Sequence, residues 1–401
     1  MEKVLQDIQY YKFSAYGFLK NLRIFDAFIL LFFLEKGLSY TQIGLLYAIR
    51  QIVVNLLEIP SGIFADTYGR KTSLLLSFVV YIASFLILNF ATNFLSFGIA
   101  FVLYGMAEAL RSGTHKSMIK DYLSAKNMSD KMAYYYGHTR SWSQKGSAVS
   151  SLISGFVVFY TGSFNNIFIY SILPYLFNLI LVASYPQYLN KPKSNKKIQK
   201  YTETIKAFLH TIKKPELLKL INTSALHSAY LSSIKDFIQT IMLAISVSLP
   251  VLNIEQNKKN GIVIGVLYFF IYLVNSYFSQ KASLFENRKN IAQKTLLLGI
   301  LSGVISGVFM YFDMYYLAFF SFVMIFVIEN IRKPLLTSFV AENTNDEVLT
   351  SVLSAQSLLK TLMTALLSFA FGLTADYFGL AVALIVLSVI LLSLSLLFRI
   401  S

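Results

Sequence analysis

The stretch that decides the fold is Gly62-Ile63-Phe64-Ala65-Asp66-Thr67-Tyr68-Gly69-Arg70-Lys71. It separates two apolar runs, near 40–63 and 72–91, each long enough to cross a bilayer, which takes about 20 residues. Gly62 predicts a close helix approach, and Gly69 a tight turn that a side chain would hinder. Asp66 is expected to cap the next helix and to pair with a base. Arg70 and Lys71 hold the turn on the side where basic residues collect. A short polar hairpin between two apolar helices is thus the local unit.

Working outward, runs of this kind recur about twelve times. The first six lie near 13–34, 40–63, 72–91, 93–118, 134–161 and 164–186. The second six lie near 216–249, 261–283, 291–311, 314–333, 348–374 and 378–399. Between the sets is the one long polar stretch, 188–214, with Lys191, Lys193, Lys196, Lys197 and Lys200 in a run. It divides the chain into expected halves at 1–187 and 215–401, and its second part has the pattern of a basic surface helix. Composition agrees: 56% of the 401 residues are hydrophobic and 14% charged, where a soluble chain carries about 25% charged residues. The absence of Cys excludes disulfides and thiolate chemistry, and four His argue against a His-rich metal site.

The net charge of +15 is read as a membrane orientation signal, with no nucleic-acid partner. Arg70 and Lys71, then Lys120, Lys126 and Lys131, the central run, Arg288, Lys289 and Lys294, and Arg332 and Lys333 fall in one set of alternate loops. The other set holds Lys36, Lys258 and Lys259. This asymmetry places both termini and the linker in the cytoplasm of a cell's plasma membrane. The N-terminal residues lack the layout of a removable signal peptide.

The hairpin motif resembles the loop signature of the major facilitator superfamily: a Gly, an Ala-Asp pair, then Gly-Arg-Lys. Gly372-Leu373-Thr374-Ala375-Asp376-Tyr377-Phe378-Gly379 repeats the spacing without the basic pair. Glu58-Ile59-Pro60-Ser61-Gly62 and Glu108-Ala109-Leu110-Arg111-Ser112-Gly113 are similar to a bacterial permease branch of unassigned substrate. The resemblance implies an all-α membrane protein of twelve transmembrane helices in two pseudo-symmetric six-helix bundles. It implies alternating access around a midplane site, with helices one, four, seven and ten lining the cavity. It also implies a gating role for Gly62, Asp66, Gly69, Arg70 and Lys71. The stretch from Gly146 to Gly155 keeps small residues but has no Pro, a departure from the antiporter signature. Glu286-Asn287-Arg288-Lys289 is a reduced second basic motif.

Charges within the spans are the candidate site. Each costs about 2.5–3.5 kcal/mol or more on insertion scales, which makes it a functional hypothesis. Substrate or coupling residues are expected among Arg23, Asp26, Arg50, Glu108, Arg111, Lys235, Asp236, Glu329 and Lys360. Arg23 with Asp26, and Glu108 with Arg111, also suit intrahelical ion pairs, each pair three residues apart. Lys235 and Asp236 are neighbours pointing about 100° apart on a helix and are not expected to pair. Glu108 and Asp236 stand first for proton coupling, and Arg50, Lys235 and Lys360 for contacting a polar or anionic solute. Glu58 reads as gating or structural, Arg140 and Lys145 as snorkelling anchors, and His227 as a packed histidine.

No nucleotide loop, zinc motif or catalytic set is present, so no enzyme, cofactor or metal is expected. The chain reads as a monomeric secondary active transporter of a small molecule. Proton coupling is expected, with efflux placed before nutrient uptake. A membrane receptor that keeps the fold without transport is the alternative of a different class; costly intramembrane charges argue against it.

Overall fold

The computed structural model describes residues 7–128, 131–190, 215–250, 255–281, 288–342 and 346–397. Most of the expected basic linker, 191–214, and the start of the reduced second motif, 286–287, lie outside them. The described residues form helices joined by short turns, without strand. In chain order the helices are α1 (Ile8–Leu19), α2 (Ile29–Glu35), α3 (Tyr40–Tyr68), α4 (Arg70–Phe90), α5 (Phe94–Arg111), α6 (Thr114–Ala125), α7 (Met132–Thr161) and α8 (Ile167–Ala183). They continue as α9 (Pro215–Ile234), α10 (Ile238–Ser248), α11 (Gln256–Lys281), α12 (Arg288–Tyr311), α13 (Tyr315–Glu342), α14 (Asp346–Phe378) and α15 (Leu380–Leu397).

Helix ends follow local chemistry. Asp7 caps α1 by accepting the Gln9 and Tyr10 N–H groups at 3.0 Å, and Asn93 with Ser96 forms a capping box at α5. Single glycines with positive φ separate α3 from α4 (Gly69, φ 99°) and α14 from α15 (Gly379, φ 82°). These conformations strain any residue with a Cβ.

Seven helices among the described residues are long and apolar enough to cross a membrane. α8 and α15 are shorter apolar helices. The remaining expected spans are the serine-rich α7 and two that are interrupted. The first, expected as one helix over 13–34, stops at Leu19 and resumes at Ile29. The seventh, 216–249, is broken by a 3-10 turn at Lys235–Phe237. The fourth, expected over 93–118, also breaks, at Ser112 and Gly113, and then runs on to Ala125.

The chain divides into two compact units. The first joins Met1–Ile29, Val53–Lys196 and Ile254–Tyr272, and the second joins Leu30–Ile52, Lys197–Asn253 and Leu273–Ser401. α3 and α11 therefore each pass from one unit to the other. The first unit has an aromatic core in which Phe25 stacks on Phe168 at 5.2 Å and Tyr175 meets Tyr81 and Phe85 edge to face. In the second, Tyr230 enters the space left by Gly303 and its hydroxyl lies 2.6 Å from Ser388 Oγ.

In lipid, helices gain little from apolar burial against one another, so close backbone packing at small residues holds them. In the first unit α7 meets α11 in this way. A Cβ on Gly155 would lie 2.6 Å from the Gly261 carbonyl oxygen and 3.0 Å from Gly265 Cα. Gly62, expected at a close approach, has open space where a Cβ would stand. Its neighbour Ser61 makes the contact, donating to the Ala109 carbonyl at 2.9 Å. Accordingly, Gly155→Leu should destabilise the protein by about 1–3 kcal/mol, seen as a lower thermal-unfolding midpoint in detergent, while Gly62→Ala leaves the midpoint nearly unchanged. Equal midpoints for both would refute the close crossing.

Candidate functional site

Residues 20–28, Lys-Asn-Leu-Arg-Ile-Phe-Asp-Ala-Phe, leave the helix inside the first apolar span. Backbone groups released at that depth need partners, because hydrocarbon offers none. Side chains from distant helices supply them. Ser154 of α7 donates to the Ile24 carbonyl, and Ser171 of α8 accepts the Phe25 N–H at 3.2 Å. Where the chain re-enters helix, Gln239 of α10 accepts the Leu30 N–H at 3.0 Å. Arg23 and Asp26 thus sit on a held turn, their charged groups 3.8 Å apart, and not on the helix face expected for them.

The turn forms one wall of an open recess in the first unit. Asn21, Arg23 and Asp26 face Ser147, Ser150 and Ser151 of α7, with Tyr272 of α11 at the edge. Ser147 and Ser151 donate to carbonyls of their own helix. Ser150 is 3% exposed, and its hydroxyl has no hydrogen-bond partner among the described residues. A buried hydroxyl without a partner is costly unless something visits it. The recess therefore offers a cation, an anion and a hydroxyl donor to a small polar molecule.

Behind it lies a cationic, tyrosine-rich cluster. Lys20, Arg23 and Arg111 are close enough to feel one another's charge. Arg111 Nε donates to the Tyr81 hydroxyl at 3.3 Å, and Lys20 Nζ lies 5.8 Å from the centre of the Tyr16 ring. Tyr104, Tyr175 and Glu108 complete the surroundings. Tyrosine suits this task, since its ring face attracts a cation and its oxygen accepts from one.

The second unit carries its own interruption with its own charge pair. Lys235 Nζ and Asp236 Oδ1 are 3.5 Å apart, contrary to the expectation that sequence neighbours on a helix cannot meet. The segment is a 3-10 turn, and the long lysine stem reaches around it. Nearby in sequence, on α9, His227 is fully buried, and its Nδ1 lies 2.8 Å from Glu329 Oε2 of α13. Ser228 donates to the other Glu329 oxygen. His227 fits against Gly299, where a Cβ would collide with the ring. Arg332 is buried and bonded to the Thr295 hydroxyl at 2.7 Å and the Thr223 carbonyl at 2.9 Å.

The other expected residues are more dispersed. Arg50 lies half-buried in the second unit, 5.7 Å from the centre of the Tyr47 ring. Lys360 is half-buried on α14 and Glu58 exposed on α3. Arg140 and Lys145 are exposed, Lys145 over Trp142 at 4.7 Å. In the hairpin, Asp66 lies 3.6 Å from Arg70, which also binds Asp121 and the Ser117 carbonyl. Lys71 donates to the Tyr185 carbonyl at 2.8 Å. The cap expected from Asp66 comes from Asn190, whose Oδ1 accepts the Thr72 N–H at 3.0 Å; Gly69 brings the start of α4 against that side chain. Among the described residues, no His, Cys, Asp and Glu cluster could hold a metal.

Sequence reasoning did not single out Ser147, Ser150, Ser151 or the tyrosines. The serines had a signal: Ser143, Ser147, Ser150 and Ser154 recur at helical spacing along one face of the fifth span. The tyrosines, scattered among 26 in the chain, had none.

Comparison with known proteins bears on both fold and site. A sequence model of the family described as Major Facilitator Superfamily matches residues 18–368. The chain is 32% identical over 108 residues to an uncharacterized MFS-type transporter, YxaM, of Bacillus subtilis (strain 168), covering 27% of each chain. It is 29% identical over 123 residues to a hexuronate transporter of the same organism, covering 31% of this chain and 28% of that one. These matches thus span under a third of the curated relatives' length. Among solved structures, the nucleoside transporter NupG matches with TM-score 0.77 at 13% identity, over 98% of both chains. A bacterial homologue of the human lysosomal transporter Spinster matches with TM-score 0.73 at 13% identity, over 99% of this chain and 97% of that one. At such identity the likeness is one of fold.

The interrupted first span makes its own prediction. Gln239→Leu removes the acceptor of the Leu30 N–H and should cost about 1–3 kcal/mol, read as a lower unfolding midpoint. Equal midpoints for Gln239→Leu and the parent would show that the bond does not hold the turn.

Proposed function

Because this chain belongs to the Major Facilitator Superfamily, we propose that it is a proton-coupled secondary transporter of a small, hydroxylated organic acid. It is an all-α membrane protein of that superfamily's fold, and transport across a membrane is the activity of its kind. The observation that carries the finer reading is the held turn with its recess. Interrupted membrane helices are where carriers of several folds bind their solutes, and here the interruption presents Arg23, Asp26 and the unpartnered Ser150 hydroxyl together. Arg23 would take a carboxylate of the solute through a charge-assisted hydrogen bond. Asp26 and the serines would take its hydroxyls. The similarity to a hexuronate transporter supports this chemistry, since a sugar acid carries both groups.

For the coupling proton the geometry favours Glu329 over Glu108 and Asp236, the pair that sequence alone put first. Glu329 shares a buried hydrogen bond with His227, so one proton on either group changes the charge of a site shielded from water. A polar recess also favours a hydrophilic metabolite over drug-like cargo, and with it uptake over efflux. The second reading, export of an aromatic acid, draws on the tyrosines around Lys20, Arg23 and Arg111. With basic loops taken as cytoplasmic, both termini lie inside the cell and the bilayer is the plasma membrane.

Proteoliposomes with an imposed pH gradient test this. Labelled glucuronate should accumulate, and glucose should not. Arg23→Gln should raise KM roughly tenfold or more, with Arg23→Lys retaining part of the affinity. Glu329→Gln should abolish gradient-driven accumulation while leaving glucuronate exchange between loaded vesicles and medium. Equal handling of glucuronate and glucose, or an unchanged KM in Arg23→Gln, would sink the acid-binding role. Undiminished accumulation by Glu329→Gln would sink the coupling role.

A further inference from the structure

The two copies of the Gly–Ala-Asp–Gly motif are built alike and bonded differently. Each ends a long helix, turns at one positive-φ glycine, and starts the next helix at once: Tyr68, Gly69, Arg70 in the first copy and Phe378, Gly379, Leu380 in the second. In the first, the basic pair is occupied within its own unit, Arg70 by Asp66, Asp121 and the Ser117 carbonyl and Lys71 by the Tyr185 carbonyl. In the second, Leu380 and Ala381 stand where that pair would be. Asp376 reaches across to α3. Its Oδ1 accepts the Tyr40 N–H and its Oδ2 the Thr41 N–H, both at 2.8 Å. The Ser39 and Thr41 side chains bond it as well.

The first N–H groups of a helix have no partner within it, and the helix dipole favours a negative charge there. Asp376 is thus an N-terminal cap for α3 supplied by another helix. From this cap inward, α3 and α14 run backbone against backbone. A Cβ on Gly372 would strike the Tyr40 carbonyl, and one on Gly44 the Ser368 carbonyl. Neither glycine has a side chain to interlock. The cap itself faces solvent, where water can replace each of its bonds. Gly37, with φ 79°, stands just ahead of α3 and permits the preceding chain to turn. The contact is specific in geometry and inexpensive to break, which suits a catch better than a permanent staple.

We propose that the second motif copy is such a catch: Asp376 holds the start of α3 against α14 in one end state of the transport cycle and releases it in the other. With basic loops inside, this end of α3 faces outward, so the catch secures the outer face. In the same state the bases of the first copy are held locally. The proposal rests on the transporter reading but not on the identity of the solute.

The chain has no cysteine, so spin labels can be placed without removing native thiols. Glu35→Cys and Phe378→Cys, both at exposed positions, put one label ahead of α3 and the other at the end of α14. Pulsed dipolar spectroscopy in liposomes then reads their separation. The labelled parent should show one dominant short distance. Asp376→Ala should raise the population of longer distances roughly fivefold, as loss of a charge–dipole cap predicts, and Asp376→Glu should restore the short one. Asp376→Asn, nearly isosteric, gives the same reading should the alanine variant not fold. Unchanged distances in monodisperse Asp376→Asn overturn the catch. Failure of glucuronate transport with shifted distances would remove the acid-solute reading and leave the catch standing.

Discussion

A peptide group placed in hydrocarbon must find its hydrogen-bond partner inside the protein. Much of this structure follows from how nine consecutive residues, 20–28, meet that demand without a helix. Leaving the helix there exposes carbonyls and N–H groups that cost several kcal/mol each if unmet. Ser154, Ser171 and Gln239 answer them from three other helices. The return is geometric. A turn can display Arg23, Asp26 and Asn21 on one wall of a recess, whereas a continuous helix would spread these positions around its axis. Small residues are required opposite, so that α7 can approach. Gly146 abuts the Phe18 carbonyl, and the serines between Gly146 and Gly155 supply polar groups without bulk. The glycine- and serine-rich fifth span and the broken first span are therefore two sides of one requirement.

The charges behind the recess obey a related economy. Lys20, Arg23 and Arg111 lie near one another with Asp26 and Glu108 among them. At about 2.5–3.5 kcal/mol or more per buried charge, a purely structural role would be served better by apolar packing. Tyrosines reduce the cost by offering a ring face and a hydroxyl oxygen, yet they add no negative charge. On the proposed reading, a site arranged this way stays receptive to an anion, where full pairing with carboxylates would close it.

The architecture was legible because it rests on local quantities. Apolar runs of crossing length and the glycine-punctuated hairpins are visible in the sequence, and most of the described helices fall where those signals put them. The interruptions were not legible. Residues 20–28 contain neither Gly nor Pro, and the turn exists because side chains more than a hundred positions away complete its bonds. The same reason hid the partnership of His227 with Glu329 and the cap that Asn190 gives α4. Charged residues could be flagged by their cost alone. Their partners are a property of the packed chain. Lys235 and Asp236 illustrate the converse: helical periodicity forbade the pair, and the backbone abandoned the α-helix at that point.

The motif copies carry this lesson to function. In the first copy an arginine follows the aspartate by four residues across the Gly69 turn, and Asp66 lies beside Arg70. With leucine in the arginine's place, Asp376 has no such neighbour and binds the nearest strong donors, the N–H groups opening α3. In the proposed orientation the missing basic pair suits the outer face, where basic residues are disfavoured. It has a second consequence. Without the bases the carboxylate is available to the start of α3, so in the proposed orientation one change suits the loop to the outer face and redirects the aspartate from its hairpin's arginine to another helix.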